Sequence, residues 1–216
     1  MLTVPKWRLI LIAVAVLVLA LVSWLAYNFS LQAEGPVNPS GYTSTQAASV
    51  TAIADAVSQD PGVSSLLAQQ SCPINAGDYS IDPAALGGQL AKFVLGTANS
   101  QNGCYHIIVD GKITPQIYWM SLSQAVLVIT GHVSVTIEYY DENCQLQTLT
   151  IPDFSFKIAF SIKNNGQVGG IVPLPTGKPI CIITLSPKTI HYEIGTLDKD
   201  KCPNCPKTAP TIGGSS

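Results

Sequence analysis

Residues 154–162 read FSFKIAFSI, so Phe154, Phe156, Ile158, Phe160 and Ile162 alternate with Ser155, Lys157, Ala159 and Ser161. A strict two-residue period places every bulky apolar side chain on one face of an extended chain, dry on that side and wet on the other. This predicts a half-buried β-strand. Asn165-Gly166 follows as a turn dipeptide, and residues 167–172 return as the next strand. Upstream, residues 105–109 and 112–118 flank Asp110-Gly111, the pattern of a hairpin with a type I′ turn. Residues 125–129 (AVLVI) read as a strand buried on both faces. Val133, Val135, Ile137 and Tyr139 alternate with His132, Ser134, Thr136 and Glu138. Residues 180–185 and 189–194 supply two further strands, separated from residues 167–172 by Pro173, Pro175 and Pro179.

Ahead of the strands the period is helical. Ser44 is the expected N-cap of a helix carrying Ala47, Val50, Ile53, Ala54 and Val57 on one face. Asp60-Pro61 stops it and starts a short helix with Val63, Leu66 and Leu67. Asp82-Pro83 repeats that signal before Leu86, Leu90, Phe93 and Val94, with Gly87-Gly88 either weakening the helix or allowing close packing on a sheet. Helices followed by seven or eight mostly antiparallel strands predict an α+β domain, its sheet covered by the helices or folded into a sandwich.

Residues 9–26 (LILIAVAVLVLALVSWLA) carry no charge. As a helix at about 1.5 Å per residue they would be roughly 27 Å long, close to the ~30 Å hydrocarbon core of a bilayer. Trp7 at one end, and Trp24 with Tyr27 at the other, suit the interfacial aromatic belts. Lys6 and Arg8 precede the run and the next basic residue is Lys92, which predicts a cytoplasmic N-terminus. The apolar run exceeds that of a secretory signal and lacks a small-x-small cleavage site. The expected organisation is therefore a cytoplasmic N-terminus at 1–8, a transmembrane helix at 9–27 in contact with lipid and a stalk at 28–42. An extracytoplasmic domain at 43–194 and an irregular cysteine-containing tail at 195–216 complete it. Asn28-Phe29-Ser30 in the stalk matches the N-glycosylation sequon, next to the bilayer.

The six cysteines, Cys72, Cys104, Cys144, Cys181, Cys202 and Cys205, all follow the apolar run. An even number on the exported side predicts disulfides, and about fifteen connectivities are open. One plausible set ties Cys72, Cys202 and Cys205 to Cys104, Cys144 and Cys181 in the sheet. Cys202-Pro203-Asn204-Cys205 is the single C-x-x-C. Redox use would require a helix N-terminus in a βαβ setting, and zinc would require two more ligands, so a structural role is expected.

His106, His132 and His191 fall within strands without H-x-H or H-E-x-x-H spacing, and Asp141-Glu142-Asn143 reads as a polar turn. Neither G-x-S-x-G, a phosphate loop nor a dinucleotide fingerprint occurs. The whole chain holds 11 Lys and Arg against 13 Asp and Glu, with 11% charged residues. No arginine follows Arg8, which argues against nucleic acid as a partner and against phosphate chemistry. The expectation is a non-enzymatic, single-pass protein of the plasma membrane or a viral envelope, without catalytic residues, metal or cofactor. Its expected role is structural, in assembly or in binding other subunits or copies of itself, within a cell envelope, surface appendage or virion membrane. Two alternatives are an accessory subunit of a secretion, transport or respiratory complex and a tethered thiol oxidoreductase using Cys202 and Cys205.

Overall fold

A computed structural model describes residues 41–69, 72, 77–163 and 165–206. The apolar run, its flanking Lys6, Trp7, Arg8, Trp24 and Tyr27, and the stalk up to residue 40 lie outside the described residues. Among the described residues no helix is long and apolar enough to cross a membrane.

Three helices open the domain: α1 (Ser44–Ser58), α2 (Pro61–Ala68) and α3 (Pro83–Asn99). The cap of α1 is Thr43 and not Ser44. Its hydroxyl accepts from Gln46 N–H while the Gln46 side chain accepts from Thr43 N–H, a reciprocal capping box. Asp60 and Asp82 cap α2 and α3, each followed by proline in the first turn. In α1, Ala52, Ala54 and Ala56 are buried along with Val50, Ile53 and Val57. Its buried Ser49 and Ser58 donate their hydroxyls to Thr45 and Asp55 carbonyls. Small side chains on several sides let α1 pack closely between α3 and the sheet.

The strands are β1 (Cys104–Ser121), β2 (Gln124–Tyr140), β3 (Leu146–Ile162), β4 (Val168–Val172), β5 (Cys181–Thr184) and β6 (Lys188–Leu197). They form one mostly antiparallel half-barrel sheet in the order β4-β3-β2-β1-β5, with β6 also on β1. The fold is thus α+β with helices against a single sheet, and the sandwich alternative is not adopted. The expected seven or eight strands are six, because β1 and β2 each join segments read as separate.

The joins correct the Asp110-Gly111 hairpin. Asp110 and Gly111 pair with Ser134 and Val133 of β2 on one side, and with His191 and Ile190 of β6 on the other. Ladders on both sides outweigh the local turn preference. The glycine serves close approach instead: a β-carbon at Gly111 would run into the His132 carbonyl, and one at Gly131 into the Lys112 carbonyl. An 18-residue strand laid flat would span roughly 60 Å at about 3.3 Å per residue, longer than a domain of this size is wide. Gly111 and Gly131, two residues apart in register across the β1–β2 ladder, give the room for the bend that curls the sheet around the helices.

β3 also starts earlier than its clean alternation, because Pro152-Asp153 forms a bulge between the Val135–Ile151 and Val133–Phe154 pairs. Pro115 stands where the neighbour of β1 changes from β6 to β5. Its carbonyl accepts from Leu185 N–H, so the missing proline donor faces a gap in the ladder. The Asn165-Gly166 turn and strands β4, β5 and β6 match expectation.

The core lies between the concave face and the helices, with Trp119, Phe160, Leu127, Ile129, Ile137, Leu86 and Ile53 at its centre. Gly87 brings α3 onto β6, where its Cα faces Ile194. Phe93 on the same helix is 52% exposed, outside the stripe expected for it.

Candidate functional site: a disulfide clamp and two open sheet edges

Cys72 is bonded to Cys181, Cys104 to Cys202 and Cys144 to Cys205. Every bridge joins the helical section or the tail to the sheet region. The two cysteines of the C-x-x-C do not bond each other: Cys202 reaches the start of β1, and Cys205 reaches the turn between β2 and β3. A dithiol enzyme cycles a bridge between its own pair of cysteines, and that bridge is absent here. Cys104, Cys144, Cys202 and Cys205 are all buried and form a small cluster of their own, flanked by Tyr140.

Local sequence prepares this clamp. Asp141 organises the β2–β3 turn by accepting Asn143 N–H, Gln145 N–H and the Gln147 side-chain amide. These bonds, that from Gln145 foremost, hold its carboxyl below the usual range. Cys144 adopts φ 57°, an uncommon conformation for a non-glycine residue, in the turn closed by its N–H to the Asp141 carbonyl at 2.9 Å. The chain past β6 folds onto it through Asp198 N–H to Gly103 O at 2.8 Å and Cys202 N–H to Asp198 O at 3.0 Å. Asn204 also donates to the Ala98 carbonyl of α3 at 2.9 Å. The expected irregular tail from Gly195 is therefore strand as far as Leu197 and fastened turns as far as Cys205.

The three histidines lie on the sheet face away from the helices, each beside a carboxylate. His106 Nδ1 is 3.3 Å from Glu138 and its Nε2 is 4.0 Å from Glu193. His132 is 3.1 Å from Asp153, and His191 is 2.6 Å from Asp110. The hydrogen bond and charge of Asp110, followed by the charge of Glu193, hold His191 protonated above its ordinary range. No three His, Cys, Asp or Glu side chains are grouped to hold a metal ion among the described residues. A cavity of about 250 Å³ opens between the end of α2, the β1–β2 turn and the end of β3. Trp119, Leu67 and Ile162 line it, with Lys163 its one charged lining residue among the described residues.

Besides the outer sides of β4 and β5, two longer backbone edges remain open among the described residues. At the Cys104 end the sheet runs β3-β2-β1-β6, and β4 covers β3 only from Ala159 onward. Nearby, the Tyr42 hydroxyl accepts the Lys157 N–H at 3.4 Å, and its ring meets Phe154 edge-on. The sides of residues 146–155 facing away from β2, and the side of β6 facing away from β1, have no backbone partner among the described residues. The open part of β3 was not expected as strand, although Leu149 and Ile151 alternate with Thr148 and Thr150. Proline at 152 hides that signal. Compared with known protein families, curated proteins and solved structures, the chain finds no match.

Proposed function

We propose that the chain is a single-pass membrane-anchored module whose domain lies outside the cytoplasm and serves assembly or binding. Its setting is a cell envelope, a surface appendage or a virion membrane. The observation that carries this reading is the division of Cys202 and Cys205 between two bridges. Three long-range disulfides suit an oxidising compartment, the side opposite Lys6 and Arg8. They fasten both the helical section and the tail to the sheet, which makes the domain a stiff platform. Stiffness lowers the ordering cost of binding, and a tether raises local concentration at the bilayer. The same division removes the main support for the thiol oxidoreductase alternative.

An accessory subunit of a larger membrane complex shares this architecture and differs only in its neighbours. Purification of the full chain in mild detergent, with identification of every co-purifying protein, tests the proposal. Stoichiometric partner chains, or self-assembly alone, support an assembly or binding role. Recovery in a cytosolic fraction with reduced cysteines overturns it.

A further inference from the structure

We propose that copies of this chain join edge to edge, the open stretch of β3 in one copy taking β6 of the next to continue the antiparallel sheet. The inference rests on the assembly reading above and names its partner, a second copy.

The two open edges match in height, direction and phase. Across the ladders, Thr196, Tyr105, Tyr139 and Gln147 stand at one level, and Thr189, Lys112, His132 and Ser155 at another. Between those levels β6 and β3 run the same length, apart from the one extra residue of the β3 bulge. β1 is antiparallel to both β2 and β6, and β2 to β3, so β6 runs opposite to β3. A second copy placed alongside in the same orientation therefore presents β3 antiparallel to β6, as the sheet's own alternation requires. That orientation also keeps every copy's N-terminal end on one side, as a shared bilayer demands.

Side-chain chemistry agrees. At equal height Ile194 would face Leu149, Tyr192 would face Ile151, and Ile190 would face Phe154, all on the concave side. Leu149, Phe154 and Tyr192 are only partly buried within one copy, so the seam would complete their burial. On the outer side Glu193 would face Thr150, Thr189 would face Ser155, and His191 would meet Asp153 at the bulge. No like charges oppose each other. Residues 146–151 (LQTLTI) carry neither charge, proline nor glycine, the devices that normally guard an edge strand. Because the contact joins two different edges, it repeats from copy to copy, closing into a ring or running on as a row.

The test places a benzophenone amino acid at Thr150 of the full chain, in mild detergent, with equal amounts of unlabelled and heavy-nitrogen copies. Irradiation is expected to give a ladder of oligomers whose cross-linked peptides join residue 150 of one copy to residues 188–197 of another. The same probe at Glu142, in the clamp turn, is expected to give no ladder. The T148K/T150K variant places two lysines on exposed edge positions and is expected to abolish the ladder, with all three disulfides and the circular dichroism unchanged. Single chains only, links between two β3 strands, or a ladder that survives T148K/T150K overturn the proposal. Foreign partners co-purifying without any self-cross-link would overturn it while leaving the assembly reading in place.

Discussion

Gly87 and Gly88 are adjacent in α3, and alanine is expected to stabilise the domain at Gly88 but not at Gly87. Both substitutions gain the same helix propensity, about 0.8–1.0 kcal/mol for glycine to alanine in a helix interior. At Gly88 a β-carbon meets nothing within 4 Å, so the gain is realised and G88A is expected to stabilise by nearly that amount. At Gly87 the new carbon would overlap the Ile194 Cγ2 methyl and lie 2.9 Å from Ile194 Cβ. The methyl can rotate away, but Cβ is fixed by a backbone that pairs with Ile107, so α3 must lift from the sheet. Overpacking of that kind costs about 1–3 kcal/mol, which leaves G87A between neutral and about 2 kcal/mol destabilised. Propensity cancels in the comparison, so the gap between the two variants, about 1–3 kcal/mol, measures the α3–β6 contact alone. Urea unfolding with disulfides intact, read as midpoints at unchanged slope, gives that gap. Equal midpoints for G87A and G88A would refute the close packing of α3 on β6.

Further outcomes follow from the clamp, a cap and a surface pair. Replacing Cys144 and Cys205 together by alanine opens a loop with a sequence separation of 61 and is expected to cost about 4 kcal/mol in urea unfolding. The neighbouring Cys104–Cys202 bridge lowers that figure only slightly, because the dependence is logarithmic. A loss below about 1 kcal/mol would contradict a clamping role. Asp60 accepts from Gly62, Val63 and Ser80 N–H and from the Ser80 hydroxyl. Burial raises its pKa, yet these bonds outweigh that and leave it below the usual carboxylate range. Its contribution is therefore complete above the unfolded value of about 3.9 and disappears as pH falls through the lower folded value. D60A is expected to cost about 1 kcal/mol at neutral pH and to flatten the acid limb of the stability curve. His191 has the opposite sign: its stabilisation is present below about pH 6.5 and lost as pH rises through its raised folded value. An NMR titration is expected to place His191 above 6.5 and D110N to lower it; an unchanged midpoint in D110N would contradict the pairing.

Much of the fold was readable because one-sided burial leaves a period in the chain. The alternation at 154–162, the cap-plus-proline signals at Asp60 and Asp82 and the Asn165-Gly166 turn each reflect a single local cause. Asp110-Gly111 misled because its local preference is a turn, while two neighbouring strands distant in sequence hold it extended. Thr43 was readable as a cap, since Gln46 stands three residues on. Pro152 concealed the lower half of β3, because a bulge that accommodates proline looks like a break when the partner strand is unseen. The cysteine pairing and the open edges depend on which strands lie beside β1, and no local pattern encodes that. The anchor and its flanking aromatic residues rest on hydropathy and charge alone.

An oxidised clamp divides the C-x-x-C between β1 and the β2–β3 turn. Peptide mapping under non-reducing conditions tests this pairing, on protein taken from its own cells with free thiols blocked at lysis. The expected result is Cys72–Cys181, Cys104–Cys202 and Cys144–Cys205 with no blocked thiol. A Cys202–Cys205 bridge, or alkylated cysteines throughout, would contradict it.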